Sequence, residues 1–70
     1  MAEVRAEMVA NVWKVLVSEG DHVEDDDTLV ILESMKMEIP VLAETAGVIT
    51  KLHVAEGDVV QEDELIAEIG

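Results

Sequence analysis

One lysine stands out because a methionine lies on each side of it. Lys36 is flanked by Met35 and Met37, and the surrounding segment 32–41 contains no glycine although apolar, strand-like residues border it on both sides. This pattern predicts the tip of a β-hairpin, where the two methionines cannot both be deeply buried. Flexible apolar side chains beside an exposed amine are typical of a recognition surface. An ordinary hairpin with a solvated lysine and two surface methionines is the alternative, and the spacing leaves both interpretations open.

The other polar residues offer little chemistry. The chain has no cysteine, which excludes a disulfide, a thiolate nucleophile and a thiolate metal site. An EF-hand loop through the acidic run Glu24–Asp27 would need glycine and glutamate where Asp26 and Leu32 stand. His22 and His53 do not match each other in the repeat described below, and we expect both to be exposed and without a ligand role. We therefore predict no metal site and no active site within this chain.

Charge and composition narrow the class of protein. Four basic and 17 acidic side chains give a net charge of −13 in 70 residues, which argues against binding to nucleic acid or to an anionic membrane. A hydrophobic content of 50% argues against disorder. The first residues do not resemble a signal peptide, and the longest apolar run, Leu29–Leu32, is far below the ~20 residues that span a bilayer. We expect one cytoplasmic domain over residues 1–70.

The elements that hold Lys36 are predicted to be strands. The apolar residues are mainly β-branched, they come in short runs broken by Gly-Asp or acidic clusters, and no window has a clear apolar stripe of helical period. The pattern predicts an all-β fold with strands near residues 3–8, 11–17, 28–33, 38–42, 47–54 and 64–69.

An internal repeat relates the two halves of the chain. The segment Val17–Val23 recurs as Val54–Val60 at an offset of 37 residues, and similar pairs continue along most of both halves, whereas 32–41 has no counterpart in the pattern. Two similar halves predict a pseudo-twofold pair of β units that form a flattened barrel or sandwich. Gly20 and Gly57 are predicted at turn positions that need a positive φ.

The repeat also predicts the core and its irregularities. Val12 and Val15 are three residues apart rather than two, so we expect a bulge in that strand. Asp26 and Asp63 are predicted in left-handed turns where glycine is more usual. Trp13 is predicted to pack against the protein, with a contact to a partner as the alternative. The predicted core pairs across the repeat are Val12 with Ile49, Val15 with Leu52, Val17 with Val54, Val23 with Val60, and Leu29 with Ile66.

The segment Glu33–Glu38, which reads Glu-Ser-Met-Lys-Met-Glu, resembles the attachment motif of biotin carboxyl carrier domains, the biotinyl/lipoyl attachment family. The Gly-Asp-x-Val elements at Gly20–Val23 and Gly57–Val60 match the two turn segments of that family, so the resemblance covers essentially the whole chain. It implies a flattened β-barrel of two four-stranded sheets with quasi-twofold symmetry, and a modified lysine on an exposed hairpin opposite the chain ends. Small, free-standing biotinylated carriers are the most similar members, because 19–32 has no room for the protruding thumb of some acetyl-CoA carboxylase carriers.

The resemblance assigns roles to the residues of the hairpin. A biotin protein ligase would attach biotin to Lys36, and Met35 and Met37 would be recognised by that ligase. Ser34 stands where alanine is commoner. By the same resemblance the chain has no active site of its own, acts as a monomer, and carries a carboxyl group on biotin between a biotin carboxylase and a carboxyltransferase.

Two further hypotheses concern the charges of the tip and the choice of cofactor. Exposed lysines are protonated near neutral pH, so the ligase must promote deprotonation of Lys36, and Glu33 and Glu38 would assist its docking electrostatically. Lipoyl domains of the same fold usually have aspartate before the lysine and a small residue after it, where this chain has Met35 and Met37. A lipoyl carrier and an unmodified interaction module are the alternative functions.

Overall fold

The computed structural model describes residues 2–70, which form two four-stranded antiparallel sheets. The first sheet has the strand order β1-β8-β6-β3 and the second has the order β5-β4-β2-β7. No helix within this range is long and apolar enough to cross a membrane. The strands are β1 (Ala2–Arg5), β2 (Ala10–Val15), β3 (His22–Val23), β4 (Thr28–Ser34), β5 (Met37–Leu42), β6 (Gly47–Leu52), β7 (Val59–Val60) and β8 (Leu65–Ile69).

The pseudo-twofold symmetry predicted from the repeat is confirmed. An offset of 37 residues carries the bounds of β2 onto β6 and those of β3 onto β7, and it exchanges the strand orders of the two sheets. The prediction that 32–41 lacks a counterpart is wrong in part, because β1 shifted by 37 coincides with Ile39–Leu42 of β5. What the second half lacks is the turn around Lys36.

The all-β prediction is confirmed, with differences at the strand ends. The first strand ends at Arg5 rather than at residue 8, because the backbone of Ala6 turns to bond Glu64 and Asp63 of the neighbouring connection. The strands β3 and β7 were not predicted because each has only two residues, too few for an alternating pattern to be visible.

The core lies between the sheets and follows the repeat. The seven predicted core residues Val12, Val23, Leu29, Ile49, Val54, Val60 and Ile66 are buried. Val15, Val17 and Leu52 are only partly buried, because they lie at or beyond the strand ends that leave the sandwich. The packing predicted for Trp13 is limited: its side chain is 42% exposed, and it lies on the outer side of the sheet because it follows the inward-facing Val12.

The bulge predicted in β2 is confirmed, and β6 contains an equivalent bulge. The register shifts between Val12 and Lys14 in β2, and between Ile49 and Lys51 in β6. Each half supplies a carboxylate near the bulge of the other half. The backbone N–H of Val15 donates to Glu56 at 3.3 Å, and that of Leu52 donates to Glu19 at 3.1 Å. These side chains satisfy donors that the bulges withdraw from the sheet.

The four turn predictions are confirmed by positive φ angles. Gly20 and Gly57 have φ of 94° and 95°, and Asp26 and Asp63 have φ of 72° and 70°. The aspartates are held there by symmetry-related backbone bonds, because Asp26 N–H donates to the carbonyl of Ala43 and Asp63 N–H donates to the carbonyl of Ala6, both at 2.8 Å. The backbone contacts outweigh the cost of a left-handed aspartate.

Candidate functional site

The hairpin of β4 and β5 ends in a two-residue turn formed by Met35 and Lys36. Ser34 pairs with Met37 across the base of the turn, and the φ angles of Met35 and Lys36 are 52° and 65°. Two consecutive left-handed residues are the geometry of a type I′ turn, which matches the twist of the flanking strands. Asparagine and glycine are the usual residues of this turn, so Met35 and Lys36 hold a costly backbone conformation at the tip.

The side chains of the tip point into solvent. Met35 is 91% exposed and Met37 is 65% exposed, and Lys36 is exposed as well. Among residues 2–70 no carboxylate lies within ion-pair distance of the Lys36 amine. The arrangement therefore presents a primary amine between two mobile apolar groups, which favours the recognition-surface interpretation over an incidental turn.

Two carboxylates stand directly behind the amine. Glu33 and Glu38 are opposite each other in the register of β4 and β5, and both are exposed. Like charges at directly opposed positions destabilise a sheet, so this pair is not there for stability. Ser34, which is half-buried between this pair and the turn, completes the stem of the tip.

The two predicted turn glycines serve the fold and not the tip. Gly20 N–H donates to Ile49 at 2.7 Å, and Gly57 N–H donates to Val12 at 2.9 Å. Each therefore fastens a connection to the central strand of a sheet. Their place is in the scaffold that keeps the hairpin rigid.

The two histidines lie beside different glutamates, and the acidic run forms a turn. His22 Nε2 lies 2.5 Å from Glu24, and His53 Nε2 lies 2.9 Å from Glu68. No group of three histidine, aspartate or glutamate side chains in the described part of the chain is placed to hold a metal ion. The Asp27 carboxylate of the acidic run accepts the backbone N–H of Glu24 at 2.8 Å, as expected for a turn.

The exposure of Trp13 agrees with the alternative predicted for it, a contact to a partner, more than with packing. The Lys14 amine lies 5.4 Å from the centre of its ring, and both side chains lie on the outer surface of the sheet that carries the hairpin. The repeat gives a signal for this exposure, because the position that corresponds to Trp13 in the second half is Thr50.

Comparisons with known proteins agree with this geometry. The biotin/lipoyl family model, described as "Biotin-requiring enzyme", matches residues 2–69. The chain belongs to the biotin/lipoyl family. This biotin/lipoyl chain is 61% identical over 70 residues to the Biotinylated protein TB7.3 homolog of Mycobacterium leprae, with 99% of each chain covered. It is 70% identical over 44 residues to the homolog from Mycolicibacterium smegmatis, a match that covers 61% of this chain and 62% of that protein.

Solved structures show the same fold within a much larger protein and in a domain of similar size. The biotin/lipoyl chain superimposes on Kluyveromyces lactis urea carboxylase with a TM-score of 0.91 at 35% identity, covering 99% of this chain and 6% of that one. It superimposes on the lipoyl domain of the 2-oxoglutarate dehydrogenase complex of Azotobacter vinelandii with a TM-score of 0.85 at 28% identity, covering 100% of this chain and 96% of that one. The biotin/lipoyl fold is thus common to a part of a urea carboxylase and to a lipoyl domain.

Proposed function

We propose that this chain is a biotin carrier and that Lys36 is its attachment site. The observation that carries the proposal is the exposed Lys36 amine at the left-handed tip of the hairpin, with an exposed methionine on each side. The names of the mycobacterial relatives and the likeness to a urea carboxylase support biotin as the cofactor. A rigid sandwich with one projecting amine fits a group that needs a covalent tether and freedom to move.

In this proposal the residues of the tip act in one acylation step. The deprotonated Nζ of Lys36 attacks the carbonyl carbon of biotinyl-adenylate and a C–N amide bond forms. The bond from carbonyl carbon to phosphate oxygen breaks, AMP leaves, and the nitrogen releases one proton to solvent. Met35 and Met37 are recognised by the biotin protein ligase, and Glu33 and Glu38 help to dock it through their charge. Ser34, Gly20 and Gly57 keep the hairpin in place.

The proposed role after modification is transport and not catalysis. Bound biotin supplies the nitrogen that accepts and releases a carboxyl group, and a biotin carboxylase and a carboxyltransferase are the proposed partners. The chain contributes position and recognition at both sites, and it acts as a monomeric domain over residues 1–70 without an active site of its own. A cytoplasmic location stays a prediction from the sequence.

The mass of the intact protein tests this proposal. The chain is expressed with a biotin protein ligase and, separately, with a lipoyl ligase. We expect one biotinyl adduct in the wild type and in the Lys14→Arg and Lys51→Arg controls, and none in Lys36→Arg, because Lys36 alone lies at the tip. An adduct that survives Lys36→Arg would contradict the assignment.

The alternatives give different masses. A lipoyl adduct formed with the second ligase, without a biotinyl adduct from the first, would favour a lipoyl carrier, which the similarity to the Azotobacter lipoyl domain keeps as the second candidate. No adduct with either ligase would favour an unmodified interaction module and would overturn both carrier functions.

A further inference from the structure

The pseudo-twofold symmetry allows the outer surfaces of the two sheets to be compared position by position. Because the halves share one fold, a position on the sheet that carries Lys36 has a structural counterpart 37 residues away on the other sheet. We call the outer side of β5-β4-β2-β7 the hairpin face and that of β1-β8-β6-β3 the opposite face. Six apolar residues of the hairpin face and their counterparts are Trp13 with Thr50, Leu16 with His53, Ile31 with Glu68, Pro40 with Glu3, Leu42 with Arg5, and Val59 with His22.

The opposite face is polar and its groups bond to one another. His53 Nε2 lies 2.9 Å from a Glu68 carboxylate oxygen, and the Thr50 hydroxyl donates to the Glu68 carbonyl at 3.2 Å. Arg5 donates to Glu3 at 2.9 Å, and this bond raises the pKa of the arginine. The fold is therefore compatible with polar residues at all of these positions.

The hairpin face is apolar at the same positions. Trp13 is 42% exposed, Leu16 53%, Leu42 40% and Val59 56%. Ile31 lies between Lys14 of β2 and Pro40 of β5 in the sheet register. Val48, at 39% exposure, is the one large exposed hydrophobic on the opposite face among the residues described. Since the opposite face has polar side chains at the counterparts of these residues, packing does not explain them, and an apolar surface of this kind indicates a binding site.

The charges around the hairpin face indicate what binds there. Glu33 and Glu38 border it on the side of Lys36, Lys14 lies beside Trp13 as a cation of the face itself, and the net charge of the chain is −13. Two copies of so acidic a chain repel each other, which disfavours a self-associated dimer. A protein partner with an apolar centre and a basic rim is complementary in both respects.

We infer that the hairpin face is the docking surface for the ligase that acylates Lys36, a partner whose contact region is apolar at its centre and basic at its rim. This inference rests on the proposed function. The ligase must bring its active site to the Lys36 amine, which extends from the backbone by only one side-chain length. Any later enzyme meets the cofactor, which lies farther out because it lengthens the tether. The ligase is therefore the partner that comes nearest to the body of the domain and to Trp13 and Ile31.

Steady-state biotinylation tests the inference. The double variant Trp13→Thr/Leu16→His introduces the counterpart residues of the opposite face, which this fold already accommodates. We expect KM for the carrier to rise at least about tenfold, with kcat within about twofold, because docking binds substrate and transition state alike. The matched control, Val48→Asn, makes the same kind of change on the opposite face and should leave both constants unchanged.

A binding measurement separates the inference from the proposed function. The chain has a single tryptophan, so 5-fluorotryptophan gives one fluorine resonance, and in the Lys36→Arg protein we expect it to shift when ligase is added although no adduct can form. Unchanged KM in the double variant together with an unmoved resonance would overturn the docking surface while Lys36 is still biotinylated. Self-association of the wild type in sedimentation velocity that the double variant abolishes would assign the face to a second copy and would also overturn the inference.

Discussion

Met35 and Lys36 hold backbone angles that methionine and lysine rarely adopt. Their φ values of 52° and 65° lie in the left-handed region, where an L-residue other than glycine loses about 1–2 kcal/mol. The strands on either side fix the turn length and so impose these angles. Local strain retained at the one turn that projects an amine is typical of a site kept for recognition and not for stability.

Relief of this strain should separate stability from modification. Replacing Met35 and Lys36 with Asn and Gly gives the preferred type I′ pair, and we expect the free energy of unfolding to increase by about 1 kcal/mol. Urea denaturation of the two proteins measures the difference. A single Lys36→Gly change, which keeps Met35, should recover only part of the gain. Equal or lower stability in the double variant would mean that the tip is unstrained.

The repeat places equivalent turns in the two halves of the chain, so a change in one turn can be compared with the same change in the other. Gly20 and Gly57 have nearly equal positive φ, and a methyl group added to either would meet no atom within 4 Å. The cost of alanine at these turns is therefore conformational and not steric.

Gly20→Ala and Gly57→Ala should each lower the free energy of unfolding by about 1 kcal/mol and by similar amounts. Chemical denaturation of both single variants and of the double variant measures this. Ala55→Gly, at a neighbouring position, controls for a general effect of exchanging the two residue types. A loss confined to one glycine would contradict the equivalence of the two turns.

Turns and bulges could be predicted from the sequence where residue type alone determines the backbone conformation, and not elsewhere. The spacing of Val12 and Val15 revealed the bulge, and Gly20 and Gly57 marked their turns. The outward position of Trp13 follows the alternation from the buried Val12, whereas that of Lys14 was not predictable, because the bulge interrupts the alternation that assigns side chains to faces. Nor could the left-handed angles of Met35 be foreseen, since no glycine, asparagine or aspartate marks that turn and tertiary pairing imposes it. The Lys36 site was predicted from motif and repeat spacing, whereas the hairpin face needed the register of the strands.

The net charge of the whole molecule opposes its compact folded state. The chain carries −13 within a radius of gyration of 10.9 Å, and few of its carboxylates are paired with a cation in the part of the chain described. Repulsion among these groups destabilises the folded state more than the expanded one.

Salt should therefore stabilise the protein. Between 10 mM and 500 mM NaCl we expect a gain of about 1 kcal/mol, or about 4–8 °C in the thermal midpoint, because the Debye length falls below the spacing of the charges. Circular dichroism melting curves measure it. The variant Asp25→Asn/Glu62→Gln, which changes the net charge from −13 to −11, should respond less to salt. A midpoint independent of salt in the wild type would show that self-repulsion is unimportant.

The symmetry also determines how the molecule can be attached to a surface with its reactive amine free. Ala2 pairs with Ile69 in the register in which Ile39 pairs with Leu32, so residue 70 extends from one sheet where the turn of Lys36 extends from the other. The pseudo-twofold axis sends the two in opposite directions along a body 31 Å long. A protein immobilised on a bead or a sensor chip through residue 70 thus keeps its reactive amine turned away from the support.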